Sequence, residues 1–109
     1  MAYDEDLANL IRECLADEPG VVEKRMFGGL AFLIGGNMSV AASGQGGLMV
    51  RVDPSDSEAL LGEPNAEPMV MRGREMAGWL RVEPVRTREE LEPWVRRGAA
   101  YARSLPAKG

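Results

Sequence analysis

"RMFGGLAFLIGGNM", residues 25–38, decides how this 109-residue chain folds. Its two glycine pairs bracket an apolar run, and they are read either as a phosphate-cradling loop or as turns. A P-loop needs a Lys followed by Ser or Thr after its glycines and then a helix. A dinucleotide fingerprint also needs a helix to open after the glycines. Here Leu30–Ile34 follows the first pair and Met38, Val40 and Ala42 alternate after the second. Both patterns are strand patterns, so the glycines are predicted to be turns.

Working outward, Val21–Phe27 is predicted as a first strand and Gly28-Gly29 as a turn or bulge. Leu30–Ile34 is a second strand, apolar on both faces and therefore paired on both sides. Gly35-Gly36-Asn37 is a hairpin turn, because these residue types tolerate positive φ. The third strand carries Met38, Val40 and Ala42, "SGQGG" turns the chain, and Leu48, Val50 and Val52 alternate in a fourth strand.

Helices are expected on either side of this meander. Over residues 4–18, Leu7, Leu10, Ile11, Cys14 and Leu15 recur at the helical period, and Pro19-Gly20 ends the run. Asp53-Pro54 starts a short helix with an Asp cap and Pro at the first helical position, and Gly62 ends it. "EPNAEP" reads as a loop. Met69–Arg72 and Trp79–Val82 read as strands joined by "GREMAG". The last helix starts near Thr87, where Thr87 and Glu90 form a capping box. Leu91, Trp94, Val95, Ala99, Ala102 and Leu105 form its apolar stripe. Pro93 is expected to kink this helix or to move its start to about residue 93. The expected fold is a single α+β domain over residues 1–109. It has two layers: an antiparallel meander sheet of five or six strands, with N-terminal and C-terminal helices packed on it.

Composition narrows the chemistry. The chain contains no His, which removes the commonest general base and metal ligand. No nucleophile–base pair or metal-ligand spacing is present in the sequence, so no catalytic residue, metal or cofactor is expected. The one cysteine, Cys14, lies in an apolar stripe, where a packing role is the default, and it suits a reducing cytoplasmic setting. No apolar run reaches membrane-span length and no targeting segment is recognised. The net charge of −4 is uneven. Residues 1–71 hold four basic and twelve acidic side chains, a net of −8, and residues 72–109 hold nine and five, a net of +4. That dipolar distribution suits association with a second copy or a charged partner. Nucleic acid is disfavoured, because no Lys/Arg run with interleaved aromatics occurs.

Three arginines are the candidate site for an anion or partner: Arg25, Arg51 and Arg74. Arg51 interrupts the apolar run "LMVRV" and, by alternation, faces away from Val50. A converged cluster would bind a carboxylate or phosphate. The competing expectation is pairing with local acids such as Glu23, Glu75 and Glu83. Seven methionines suggest either core gap-fillers or an adaptable partner surface, and Trp79 and Trp94 are expected core anchors.

The order of "KRMFGGLAFLIGGNM", "LMVRVDP", "PMVMRGREMAGWLRV" and "WVRRGAAYARSL" after a leading amphipathic helix resembles the TfoX (Sxy) N-terminal domain family over nearly the whole chain. The pairing of "RMFGG" with a downstream "GR-x-M-x-GW" is the more specific part. The resemblance implies a two-layer α+β fold and no catalytic residues. Its recurrent positions fall here on Arg25, Phe27, Gly28, Gly29, Arg51, Gly73, Arg74 and Trp79. Longer members regulate competence for DNA uptake with a cyclic-AMP-responsive activator and carry a second helical domain; this chain is expected to be a short member without it. The function expected is a non-enzymatic cytoplasmic interaction or regulatory accessory module. It would act as a homodimer through protein–protein contacts with a protein partner yet to be named. A small-molecule anion-binding module built on the arginines is the alternative.

Overall fold

The computed structural model describes residues 3–26 and 28–107. Helix α1 spans Glu5–Cys14. It starts where it does because the Asp4 carboxylate accepts hydrogen bonds from the backbone N–H groups of Asp6 and Leu7, at 2.9 and 3.2 Å. Strands β1 (Val21–Met26), β2 (Gly29–Ile34), β3 (Asn37–Ala42) and β4 (Leu48–Arg51) follow as an antiparallel meander. The β2–β3 connection is the two-residue turn Gly35-Gly36, with φ of 60° and 81°. Positive φ at both positions matches the twist of the strands it joins, and glycine adopts it without strain.

Helix α2 (Pro54–Leu60) has Asp53 as its cap and Pro54 in its first turn. Strands β5 (Ala66–Met71) and β6 (Arg74–Val82) form a hairpin, and helix α3 (Arg88–Ser104) ends the fold. The sheet has six strands in the order β1-β2-β3-β4-β6-β5. The returning strand β6 pairs with β4, and β5 lies outside it at the edge.

Two local expectations need correction. "EPNAEP" and "GREMAG" are not mainly loop: β5 begins at Ala66 and β6 at Arg74, leaving Arg72-Gly73 as the turn. This outer hairpin reaches past the core, so its polar residues hide the strand pattern. Pro68 is tolerated because β5 is an edge strand. Pro93 does not move the start of α3, which begins at Arg88. The Thr87–Glu90 capping box sets the start, with the Glu90 N–H donating to Thr87 Oγ1 at 3.2 Å and the Thr87 N–H donating to Glu90 Oε1 at 3.1 Å. Pro93 lacks the donor for the Glu89 carbonyl, but both residues are exposed, where water serves that group.

All three helices sit on one face of the sheet. Leu30, Phe32, Val40, Ala42, Leu48, Val50, Leu80 and Val82 point toward them and are buried. Leu7, Ile11 and Leu15 of the first helical run and Leu91, Trp94, Val95, Ala99 and Ala102 of α3 close the core from above. Gly98 lies directly on β3: a Cβ there would stand 2.5 Å from the Ser39 carbonyl oxygen. Ser39 occupies a bulge between β2 and β3, and its hydroxyl donates to the Phe32 carbonyl at 2.8 Å.

Candidate functional site

The opposite face of the sheet carries no helix. Its residues follow from alternation and register. Along β6, Leu80 and Val82 turn toward the helices, while Trp79 and Arg81 turn away. The same alternation places Met49 and Arg51 of β4, Ala41 and Met38 of β3, Ala31 and Leu33 of β2, and Val22 and Lys24 of β1 on this open face. Among the described residues, the two large hydrophobic side chains that are most exposed are Val22, at 59%, and Val70, at 56%. Val22 pairs with Leu33 and so belongs to this face, on the edge strand β1; Val70 lies beyond a register irregularity in β5, where the β5–β6 hairpin reaches past the core.

One row crosses all six strands in register: Lys24, Ala31, Ala41, Met49, Arg81 and Glu67. Ala31 and Ala41 are buried at its centre, while Leu33, Met38, Met49 and Trp79 around them are partly exposed. Arg81 lies 3.6 Å from Glu67 and 2.9 Å from Glu83, and donates to the Gln45 carbonyl at 3.3 Å.

The methionines correct one expectation. Met26, Met38, Met49, Met69 and Met76 are all partly exposed, and none belongs to the buried core. Met38 and Met49, flexible and polarisable on the open face, suit a partner surface rather than gap-filling. Trp94 is buried as expected, but Trp79 is not a core anchor, because it alternates with the buried Leu80 and turns to the open face.

The candidate arginines do not converge. Arg25 pairs with Leu30 on the edge strand β1, Arg51 with Trp79 on β4, and Arg74 with Met71 at the far end of the β5–β6 hairpin. At roughly 4.8 Å between strands and 3.3 Å per residue, Arg25 and Arg74 stand more than about 25 Å apart along the sheet. A single three-arginine site is therefore excluded by register. Arg25 does not take Glu23 either, because Arg12 does: its guanidinium donates to both Glu23 carboxylate oxygens at 2.7 and 2.8 Å. That pairing holds the Glu23 carboxyl below its ordinary range and raises Arg12. Arg81 does pair with the expected Glu83.

Arg51 has a different environment. Its guanidinium carbon lies 5.5 Å from the Trp79 ring centroid and 5.7 Å from that of Tyr101 on α3. Among the described residues it makes no ion pair. Cation–π contact of this kind holds the charge while leaving N–H donors for water or a ligand.

The glycines of "RMFGG" pack rather than cradle a ligand. Gly28 has φ of 76°, and a Cβ on Gly44 would stand 2.7 Å from the Gly28 carbonyl carbon, so two loops touch backbone to backbone. A Cβ on Gly29 would strike the Ala42 carbonyl oxygen. Gly73, with φ of 77°, closes the β5–β6 turn. Phe27 lies outside the described residues. Cys14 is partly buried against the core, and burial pushes its thiol up, away from reactive thiolate character. Among the described residues, no group of three or more His, Cys, Asp or Glu is placed to hold a metal. Among them, no helix is long and apolar enough to cross a membrane.

The open face was legible only in fragments. The two-faced apolar run of Leu30–Ile34 and the methionines pointed toward it. Lys24, Glu67 and Val22 were missed, because only pairing register places them there. No curated protein and no solved structure was found to match the chain. The family model of the TfoX N-terminal domain matches residues 13–102, and the chain belongs to that family.

Proposed function

We propose that this chain is a non-enzymatic regulatory or interaction module that works in the cytoplasm through the helix-free face of its sheet. The carrying observation is the exposure of that face: Val22 is exposed on its β1 edge, and Leu33, Met38, Met49 and Trp79 are partly exposed across it. Apolar side chains left exposed together on one face mark contact sites. The regulatory character rests on family membership. The absence of His from the chain supports a non-catalytic role.

Met49→Glu and Val22→Asp test the reading, since both positions point away from the core. Both variants should melt near the wild-type temperature yet lose protein contacts, read as native mass by light scattering and as co-purified protein. Unchanged mass together with an unchanged co-purified set would refute the use of this face.

A second reading is favoured by Arg51 alone. Its aromatic contacts, one of them from α3 on the helix side, and its lack of an acidic partner among the described residues suit a carboxylate or phosphate group presented at this end of β4. A sulfate-dependent rise in melting temperature, lost in Arg51→Met, tests it.

A further inference from the structure

We infer that the partner covering the open sheet face is a second copy of this chain, related by a twofold axis running parallel to the strands. The inference rests on the interaction reading above and names its occupant.

The central row of this face is self-complementary. A twofold interface brings the same patch against itself, so the patch must match its own reverse. A twofold axis along the strands reverses strand order, laying β1 of one copy over β5 of the other. The row Lys24, Ala31, Ala41, Met49, Arg81, Glu67 then meets its own reversal. Lys24 faces Glu67 of the second copy, Ala31 faces Arg81, and Ala41 faces Met49. Opposite charges meet at both ends, and a long side chain meets a small one at every inner position. Facing sheets pack about 10 Å apart, a gap that an extended Lys and Glu span together. Lys24 and Glu67 are both exposed, and Glu67, 3.6 Å from Arg81 of its own chain through one oxygen, keeps a second carboxylate oxygen for Lys24 of the second copy.

The other twofold, with its axis across the strands, lays β1 over β1 and β5 over β5. It sets Lys24 near Lys24 and Glu67 near Glu67, and stacks the alanines of β2 and β3 on themselves. Like charges and empty space disfavour it.

The size is sufficient. Six strands at about 4.8 Å and a paired length of about 20 Å make a projected face of roughly 600 Å² per copy. Doubled over both copies, this reaches the lower range of specific interfaces, about 1,200 Å².

Charge reversal in the intact chain tests both the occupant and the geometry. Lys24→Glu and Glu67→Lys are made singly and together, and dimer dissociation is measured by sedimentation at low and high salt. Each single variant places like charges at both ends of the row and should weaken the dimer on the order of tenfold at low salt. The double variant restores opposite charges and should return to within about threefold of wild type. High salt should shrink the differences, because the end contacts are exposed. A dimer indifferent to the single changes, or one the double change fails to rescue, overturns the proposed arrangement. A monomer throughout the micromolar range overturns the second copy as occupant. If that monomer still binds another protein in a Met49-dependent manner, the interaction reading survives; if it does not, both fall.

Discussion

Gly98→Ala tests how α3 is seated on the sheet. In an exposed helix this change is favourable by about 1 kcal/mol, because alanine is the better helix former. Here the new Cβ would lie 2.5 Å from the Ser39 carbonyl oxygen and 2.9 Å from Val40 Cγ1. A carbon–oxygen contact needs roughly 3.2 Å, a value near the close end of weak C–H···O contacts. The helix must therefore lift by about 0.7 Å or β3 must bend. Ser39 is held by its bulge and by its hydrogen bond to Phe32, so the helix is the softer part. Lifting α3 loosens Leu91, Trp94, Val95, Ala99 and Ala102 together. Overpacking of this kind costs about 1–3 kcal/mol, and a backbone obstacle belongs at the upper end. After the propensity gain, the net loss is about 2 kcal/mol. For a domain near 100 residues that lowers the melting temperature by roughly 8–16 °C. Ala100→Gly, at an exposed position of the same helix, isolates the propensity contribution and should cost about 1 kcal/mol. Urea melts of both variants beside the wild type decide the matter. A Gly98→Ala midpoint at or above wild type would show that α3 has room over β3 and that the close approach is wrongly placed.

Further outcomes follow from the same structure. Gly36→Val should destabilise more than Gly36→Ala, itself costing about 1–2 kcal/mol, because φ of 81° suits neither and a β-branched residue least; equal midpoints for all three proteins would remove the turn geometry. Arg51→Met should change stability by less than about 2 kcal/mol, since only cation–π contacts are lost; a loss of about 3–5 kcal/mol would reveal a carboxylate partner stranded by the change. Glu23, held down by Arg12, and Glu90, held down by the Arg86 and Thr87 N–H groups, have folded-state values below their unfolded ones. Their contribution is complete above the unfolded carboxylate range and is lost as pH falls through the folded values, so melting temperature should drop on acidification below about pH 4. Glu90→Gln should flatten that acid limb while keeping a capping acceptor, and an unchanged limb would refute the assignment.

Local signals in the sequence determined much of this protein. Asp4, Asp53 and the Thr87–Glu90 pair announce helix starts because a cap acts within three residues of itself. Gly35-Gly36 announces a hairpin because its backbone demand is met by two adjacent residues. The apolar stripe of α3 is readable because helical period and burial coincide there. The family followed from the order of such segments.

Tertiary structure alone decided the rest, because its causes lie far apart in the chain. That β6 rather than β5 pairs with β4 is a matter of contacts between segments far apart in the chain. The full lengths of β5 and β6 come from pairing with each other beyond the core, so their polar residues give no periodic signal. The start of α3 at Arg88 depends on solvent tolerating the bond lost at Pro93. The arginines look alike as sequence, yet register scatters them across the sheet, and aromatic contact from a separate helix distinguishes Arg51. The open face exists only because all three helices pack on one side. Alternation within one strand shows that it has two faces, but only the assembled sheet decides which of them is left for a partner.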